Sequence, residues 1–298
     1  MYIHTLNEYL YRRFGRKIYK LSLSSGCTCP NRDGTLGSRG CIFCDGAGAF
    51  AESGNISVQL SAAKKRVAAK AGAQAGYIAY FQSFTNTYAP AEQLRPLFLE
   101  AIAPEDIVAL SVATRPDCLP PDILELLSEL CRIKPVWVEL GLQTIRPDTA
   151  EWMRRGYDLP VFQRAVQQLK GSGAEVIVHQ ILGLPGEYPE DMTATARYIG
   201  QCGAEGIKFH LLHVLRGTDL EVEWRAGRVV PMELDAYIAV LEECIRQLPR
   251  EMVIHRMTGD GAKRDLLAPL WSGDKKRVLN AIHAAFLRDD LEQGSALI

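Results

Sequence analysis

The sequence lacks a long apolar run and lacks an excess of charge of either sign. No apolar run approaches the about 18 residues that a membrane-spanning helix needs. Residues 1–11 mix polar and apolar side chains, without the apolar centre of a secretory signal peptide. Lys and Arg total 34 and Asp and Glu total 35, so the whole-chain charge gives no argument for nucleic acid. We therefore expect a cytoplasmic protein that is not bound to a membrane.

Low-complexity segments and long linkers are also absent from the 298 residues, of which 47% are apolar. This length suits one large domain with a small appendage. The eight cysteines are not a disulfide framework if the compartment is reducing, so clustered ones point to metal or redox chemistry. We interpret the four scattered ones as ordinary thiols: Cys118, Cys131, Cys202 and Cys244.

Short β-rich runs alternate with segments of helical periodicity along most of the chain. The predicted strands are residues 17–23, 77–84, 107–113, 136–143, 176–184 and 206–214. The predicted helices between them are residues 58–74, 91–103, 122–132, 161–170 and 190–202. Further along, the pattern predicts helices at 233–247 and 275–288 around a short strand at 252–255.

This alternation predicts an α/β fold with a parallel sheet covered by helices. Six units make a partial (β/α)6 TIM-like barrel, with a small C-terminal helical extension packed against it. We divide the chain into an N-terminal helical segment (1–16), the barrel core (17–215) and the extension (216–298). Function in such folds gathers at the carboxyl ends of the strands, where the polar and glycine-rich sequences of this chain stand.

A cysteine-rich loop follows the first predicted strand. Cys27, Cys29, Cys41 and Cys44 could be four zinc ligands, and the C-x-x-C pair could be a redox pair, although no helix start follows it. A third alternative is an ordinary barrel enzyme with an incidental cysteine pair. The barrel predicted downstream favours an iron–sulfur cluster on three cysteines. Such a cluster leaves one iron open for a cofactor such as S-adenosylmethionine.

Several short motifs on successive strands resemble those of the radical S-adenosylmethionine enzymes. They are Thr28-Cys-Pro-Asn-Arg-Asp-Gly34, Gly40-Cys-Ile-Phe-Cys44, Thr114-Arg-Pro-Asp117, Glu139-Leu-Gly-Leu-Gln-Thr144, Gly183-Leu-Pro-Gly-Glu187 and Arg216-Gly-Thr218. The chain resembles a bacterial branch of this superfamily that is similar to the catalytic subunit of Elongator. It is more distantly similar to oxygen-independent coproporphyrinogen oxidase. The resemblance runs from about residue 4 to residue 270.

The resemblance implies a 4Fe-4S cluster on Cys29, Cys41 and Cys44, with Cys27 outside the ligand set. It also implies reductive cleavage of S-adenosylmethionine to a 5′-deoxyadenosyl radical, with electrons from a flavodoxin or ferredoxin. The residues it places around the cofactor are Gln82, Ser83, Thr114, Gln143, Arg155, His179, Gly183 and Leu184. Four of them have a structural alternative: Gln143 could cap a strand edge, Arg155 could be solvated, His179 could be a core histidine and Gly183 could serve a turn.

The chain departs from the family pattern in three ways. The usual C-x3-C-x2-C spacing widens to C-x11-C-x2-C, as in the branch, and Ala113 stands where the Elongator subunit has a cofactor-contacting glutamate. Nor do we expect room for an acetyltransferase domain after the barrel. His210 and His213 are three apart, so on a strand at most one would point inward, as a possible substrate contact.

The sequence leaves more than one class of substrate open. Similarity to the Elongator subunit makes transfer RNA modification the first candidate, with a small molecule or peptide as the alternative. A zinc-stabilised nucleic-acid-binding protein is the alternative from another class. There are three basic clusters: Arg12, Arg13, Arg16, Lys17 and Lys20; Lys64, Lys65, Arg66 and Lys70; and Lys275, Lys276 and Arg277. The first and the last could hold phosphates if they lie on the same rim as the cysteine loop.

Overall fold

The computed structural model describes residues 1–46, 54–72, 74–259 and 263–297. The strands in these ranges are β1 (Ile18–Leu23), β2 (Gly76–Phe81), β3 (Ile107–Thr114), β4 (Val136–Gln143), β5 (Glu175–Leu182), β6 (Gly206–Leu211), β7 (Val214–Leu215), β8 (Val253–Arg256) and β9 (Leu266–Ala268). The α-helices are α1 (Leu6–Phe14), α2 (Ile56–Val67), α3 (Ala91–Ile102), α4 (Pro121–Cys131), α5 (Pro147–Trp152), α6 (Leu159–Ser172), α7 (Pro189–Gln201), α8 (Asp219–Arg225), α9 (Leu234–Arg246) and α10 (Lys275–Arg288). A short 3-10 helix covers Leu270–Gly273.

Seven parallel strands form one curled sheet in the order β1-β2-β3-β4-β5-β6-β8, which makes a half-barrel. The predicted α/β class, the partial barrel and all six predicted core strands are confirmed. The sequence predicted six strands for this sheet, and the structure has a seventh, because β8 pairs in parallel with β6. This strand is only four residues long and follows helix α9, so its alternation pattern alone did not assign it to the sheet.

The end of β6 differs from the prediction in a way that changes the site. The strand stops at Leu211, whereas the prediction carried it to residue 214. Val214 and Leu215 form β7, which pairs antiparallel with β9 in a separate two-stranded sheet. Helix α2 also ends early, at Val67, and the helices α5 and α8 were not predicted because six or seven residues show little periodicity.

Alternate residues of each strand face two different environments. On β4, Val136, Val138, Leu140 and Leu142 join the main apolar core beneath the surrounding helices. Trp137 and Glu139 have the opposite parity, so they face the barrel interior. The barrel therefore has an interior surface that the helices do not cover.

Helix α1 closes the barrel at the amino ends of the strands. Leu10 packs in one apolar cluster with Ile18, Ile78, Trp137 and Ile177, which lie near the starts of their strands. The side chain of Thr5 accepts a hydrogen bond from the N–H of Glu8, and Gly15 ends the helix with a positive φ of 66°. Because helix α1 closes the barrel at the amino ends of the strands, the carboxyl end is the open end.

Candidate functional site

The cysteine loop leaves β1 at the open end of the barrel and is held from two sides. The Nδ2 of Asn31 donates to the carbonyl oxygen of Arg154 at 2.7 Å, and the N–H of Ile42 donates to the carbonyl of Met153 at 3.2 Å. From the extension, the N–H of Leu220 donates to the carbonyl of Ile42 at 2.9 Å. The α5–α6 connection and α8 thus fix the path of the loop.

Three of the loop cysteines lie close enough to one arginine for their charges to act on it. The guanidinium of Arg32 donates to the carbonyl oxygen of Cys44 at 2.6 Å. Burial lowers the pKa of Arg32, but hydrogen bonding to Cys44 and the charges of Cys44, Cys29 and Cys41 raise it overall. A Cβ at Gly46 would come within 2.5 Å of the Arg32 guanidinium. The glycine therefore lets this cation approach the loop backbone closely.

The Cys41 thiol has an amide donor beside it. Its Sγ lies 3.5 Å from the Nδ2 of Asn31, which donates to it. Burial raises the pKa of the Cys41 thiol, while that hydrogen bond lowers it. An amide donor of this kind also suits a metal-bound thiolate, because hydrogen bonds to sulfur stabilise its negative charge.

Cys27 has different surroundings. It is half-buried and packs against the main apolar core. Burial raises the pKa of its thiol, with smaller opposing contributions from Ser25 and from the backbone of Tyr88. Tyr88 belongs to the β2–α3 connection, and the Ser25 hydroxyl donates to Asn86 of the same connection at 2.7 Å.

The donor set fits an iron–sulfur cluster. Within the described ranges, no group of three or more His, Cys, Asp or Glu side chains is already gathered at metal-binding distances. The fit rests instead on three cysteines of one loop that share a cationic neighbour, and on the amide donor at Cys41. Cys29, Cys41 and Cys44 would hold the cluster, since thiolates are the ligands that iron–sulfur clusters take in proteins.

A buried carboxylate organises the barrel interior below the loop. Glu139 is 1% exposed and accepts hydrogen bonds from Lys20 at 2.8 Å and from the hydroxyl of Tyr80 at 2.7 Å. Ser111 donates to it at 2.9 Å, and Lys208 forms a short ion pair with it. Burial would raise the pKa of Glu139, but Lys20 and Lys208 outweigh it and the pKa lies well below its usual range.

His179 is part of the same network. Its Nε2 lies 2.9 Å from Oε2 of Glu139, and its ring lies 4.9 Å from the ring of His210. Burial lowers the pKa of His179 to about 4, so its ring is neutral near pH 7. His179 is therefore a hydrogen-bonded barrel histidine; its contact with the cofactor stays a prediction.

A cavity of about 240 Å³ opens above this network. Gln143, His179, His210, His213 and Arg256 line it, with Phe43 of the cysteine loop on one wall. The expectation that only one of His210 and His213 points inward is wrong, because β6 ends at Leu211 and the chain no longer alternates there. Gln143 has a positive φ of 65°, an uncommon conformation for a residue with a side chain.

The other predicted cofactor residues lie elsewhere along the open end. The Nε2 of Gln82 donates to the hydroxyl of Ser22 at 3.0 Å. Ser83 is buried, and its carbonyl accepts a hydrogen bond from Asn86 at 3.0 Å. Thr114 is buried with its hydroxyl against that of Thr87. These residues end β2 and β3, on the side of the barrel away from the cavity.

Arg155 is not a solvated side chain. It is 3% exposed, and its guanidinium donates to the carbonyls of Leu142, Thr144 and Tyr157 at 2.7–3.0 Å. Its own carbonyl accepts a hydrogen bond from Arg115 at 2.8 Å. The side chain therefore ties the end of β4 to the segment that holds Asn31, whatever it contributes to the cofactor.

The Gly183-Leu184 turn is held by packing. The N–H of Gly183 points at the sulfur of Met192 at 3.1 Å, and φ is 85° there. A Cβ at Gly183 would also come within 2.9 Å of Met232, so only glycine fits. Leu184 is 2% exposed and packs in the apolar cluster that contains Ile42.

Sequence reasoning missed a clamp between the extension and the cysteine loop. The carboxylate of Asp219 pairs with Arg39 at 2.7 Å and with Arg154 at 2.6 Å. Arg39 belongs to the loop, and the carbonyl of Arg154 accepts the hydrogen bond from Asn31. The Arg216-Gly-Thr218 motif pointed to this turn, but no local pattern joins Asp219 to residues 65 and 180 positions away.

The basic clusters do not share a rim. Arg12 and Arg13 lie on α1 at the closed end, and Lys64 pairs with Asp106, which precedes β3. Lys20 belongs inside the barrel, so its assignment to a surface cluster is wrong. The segment of Lys275–Arg277 follows the 3-10 helix and β9, and β9 pairs with β7 beyond the end of β6. Only this third cluster lies towards the open end.

In the part of the chain that the structure describes, no helix is long and apolar enough to cross a membrane.

Known proteins match most of this chain. The Bacillus subtilis protein YtqA, itself uncharacterised, is 41% identical over 94% of this chain and 88% of its own length. A tRNA uridine(34) acetyltransferase of Methanocaldococcus jannaschii is 29% identical over 51% of this chain and 28% of its own length. The archaeal Methanocaldococcus infernus Elp3, a structure lacking N-terminal residues 1–46, has a TM-score of 0.69 at 18% identity. That likeness covers 93% of this chain, which spans only 64% of the Elp3 chain, and it concerns the fold alone.

Two family models match adjoining parts of the chain. The model described as a radical SAM C-terminal domain matches residues 204–288. The model of the radical SAM superfamily matches residues 29–199, which begin at Cys29 and end in α7. Together with the half-barrel and the cysteine loop at its open end, these matches show that the chain is an enzyme of the radical S-adenosylmethionine superfamily.

Proposed function

We propose that this enzyme holds a 4Fe-4S cluster on Cys29, Cys41 and Cys44 and cleaves S-adenosylmethionine reductively. When bound, the cluster supplies one electron to the cofactor's sulfonium, which gives a 5′-deoxyadenosyl radical able to take hydrogen from a substrate. The observation that carries the proposal is a loop at the open end of the barrel whose three cysteines lie near enough to Arg32 for their charges to act on it, with an amide donor at Cys41. A flavodoxin or ferredoxin is the electron donor that this chemistry implies.

The chain's own residues supply position and shielding. Asn31 donates to Cys41, while Asp219 and Arg154 hold the loop over the barrel. The floor closed by Leu10 keeps water from reaching the interior from below. Gln143 and His179 present polar groups to the space beneath the loop, where we propose that they contact the cofactor.

Metal content tests the first part of the proposal. Anaerobically reconstituted protein should be brown, hold about four irons per chain and release 5′-deoxyadenosine when given S-adenosylmethionine and a strong reductant. Colourless protein with one zinc per chain, unable to take up iron under these conditions, would favour the zinc alternative and overturn the proposal.

We further propose transfer RNA as the substrate class. Support comes from the similarity to a tRNA uridine(34) acetyltransferase and from the cations of Lys275, Lys276 and Arg277 in the first turn of α10. The helix dipole disfavours cations at this end of a helix, so helix stability does not explain their presence. Phosphate contacts would explain it, and they would make binding fall steeply with salt.

Charge reversal tests the RNA proposal with a matched control. Changing Lys275, Lys276 and Arg277 to Glu should weaken transfer RNA binding at least tenfold and flatten its salt dependence. The same reversal at Lys65, Arg66 and Lys70, at the end of α2 and beyond, should change little. Because acids suit the start of α10, a loss of binding would not reflect unfolding. Salt-independent binding, or equal losses in both variants, would favour a small-molecule or peptide substrate.

A further inference from the structure

The cavity under the cysteine loop has polar groups on one side and apolar groups on the other. Gln143, His179, His210, His213 and Arg256 supply the polar side, whereas Phe43, Ile181, Leu211, Leu212 and Leu215 supply the apolar side. A volume of about 240 Å³ suits a group of a few heavy atoms and not a whole nucleotide. The cavity can therefore take one substituent of a larger substrate, or a small molecule.

Among the described residues that line this cavity, Arg256 is the one with a permanently charged side chain. Glu139 is the carboxylate of the layer below, and it faces Lys20 and Lys208 at once. The Arg256 guanidinium stands on the cavity wall, close enough for its charge to act on His179 and His210. No acidic residue stands among the described residues that line the cavity. The electrostatic potential in it is consequently positive.

One buried polar atom points to a ligand. The Nε2 of His210 is buried and has no hydrogen-bond partner within the described ranges. A buried polar atom without a partner costs about 1–3 kcal/mol, so such atoms in folded proteins usually face a ligand or an ordered water. His210 also stacks with His179, which fixes the orientation of its ring.

From this arrangement we infer that the cavity binds a small anionic group of the substrate, with Arg256 and His210 as its recognition residues. The inference rests on the proposed function in one respect, since the cofactor is expected to reach the Gln143 and His179 edge of the cavity. Its methionine part is predicted at Gln82 and Ser83, after β2. Arg256 and His210, on β8 and β6, are then left for the substrate.

The experiment compares acetate with acetamide, two probes of the same shape that differ in charge. Both are titrated into reconstituted holoenzyme loaded with S-adenosylmethionine, without reductant, and binding is followed by saturation transfer to the methyl protons. Acetate should bind at least tenfold more tightly than acetamide, since charge-assisted hydrogen bonds are the stronger ones. Inorganic phosphate serves as a second anion and separates a phosphate group from a carboxylate.

Two variants and a control test which residues cause the preference for acetate over acetamide. Arg256→Gln and His210→Asn should each reduce the acetate-to-acetamide ratio below threefold while the protein keeps its cluster and binds S-adenosylmethionine. Arg250→Gln, an exposed arginine just before β8, should leave the ratio unchanged. His210→Asn keeps the test informative if Arg256→Gln fails to fold.

Several outcomes would overturn the inference. Equal affinities for acetate, phosphate and acetamide would mean that the cavity does not select anions. Acetate that binds the holoenzyme without S-adenosylmethionine, but not the holoenzyme loaded with it, would assign the cavity to the cofactor. Failure of the proposed function is a separate result, since holoenzyme that does not cleave the cofactor under reducing conditions can still be tested for anion preference without turnover.

Discussion

The ammonium nitrogen of Lys20 lies 2.8 Å from Oε1 of Glu139, inside the barrel and one layer below the cavity. On the other side of the same carboxylate, Lys208 forms the second ion pair. Both lysines come from strands far apart in the sheet, β1 and β6. Glu139 therefore joins the two sides of the half-barrel through its interior.

Removing this carboxylate should be strongly destabilising. Glu139→Gln leaves the buried ammonium group of Lys208 and the half-buried one of Lys20 without their counter-charge, which should lower the free energy of unfolding by about 3–5 kcal/mol. Glu8→Gln is the control, because the Glu8–Arg12 pair is exposed and such pairs contribute little. Urea unfolding of both variants measures the difference. A loss below about 1 kcal/mol for Glu139→Gln would contradict the assigned role.

Glu187 should make stability depend on pH. Burial raises its pKa from 4.5 to about 7, against smaller opposing contributions from the hydroxyls of Thr144 and Thr149. Because the folded pKa is the higher one, the stabilising contribution is fully present below pH 4.5 and is lost as pH rises through 7. Glu187→Gln should match wild type near pH 5 and exceed it by roughly 1–3 kcal/mol at pH 8. If the free energies of unfolding of the wild type and of Glu187→Gln change with pH in parallel, Glu187 is not the source of the pH dependence.

Asp219 should hold the cysteine loop in place. Asp219→Asn removes the charge that pairs with Arg39 and Arg154, both of which are partly exposed, so the loss should be modest. We expect a several-fold faster release of iron to a chelator, with little change in overall unfolding. The control is Glu223→Gln on the same helix, where the pairing with Arg228 does not involve the loop. Iron release at the wild-type rate in Asp219→Asn would contradict the clamp.

Gln143 and Arg155 should behave differently when mutated. Arg155→Ala removes a guanidinium bonded to three backbone carbonyls, so it should lower stability and iron content together. Gln143→Gly deletes a cavity side chain at a position where φ is positive and glycine is well tolerated. It should weaken S-adenosylmethionine binding roughly three- to tenfold and leave the iron content unchanged. Unaltered binding in Gln143→Gly would remove this residue from the cofactor site.

The sequence predicted the parts of the fold that rest on local periodicity. Strand β4 and helix α10 were predicted with the bounds that the structure has, because alternation and helical spacing are unbroken there. The seventh strand was not assigned to the sheet, since four residues carry too little pattern. The inward direction of both His210 and His213 depends on where β6 stops, which pairing with neighbouring strands decides and local sequence does not.

The candidate site was likewise predicted in part. The cysteine loop was evident because its ligands are close in sequence. The Lys20–Glu139–Lys208 network was not, since its members are 119 and 69 residues apart and Lys20 looked like part of a surface cluster. A signal did exist, because Glu139 and Gln143 share the parity of a strand face and an acid on a buried strand needs a partner.

The roles of the loop cysteines test the account most directly. Iron content and 5′-deoxyadenosine release should be measured after anaerobic reconstitution of Cys27→Ser and Cys29→Ser, two substitutions that stand two residues apart. We expect Cys27→Ser to keep most of its iron and activity, because Cys27 packs against the apolar core. Cys29→Ser should lose both, as should Cys41→Ser and Cys44→Ser. Loss of iron in Cys27→Ser to the same extent as in the other three variants would contradict the assignment and favour a site of four cysteines.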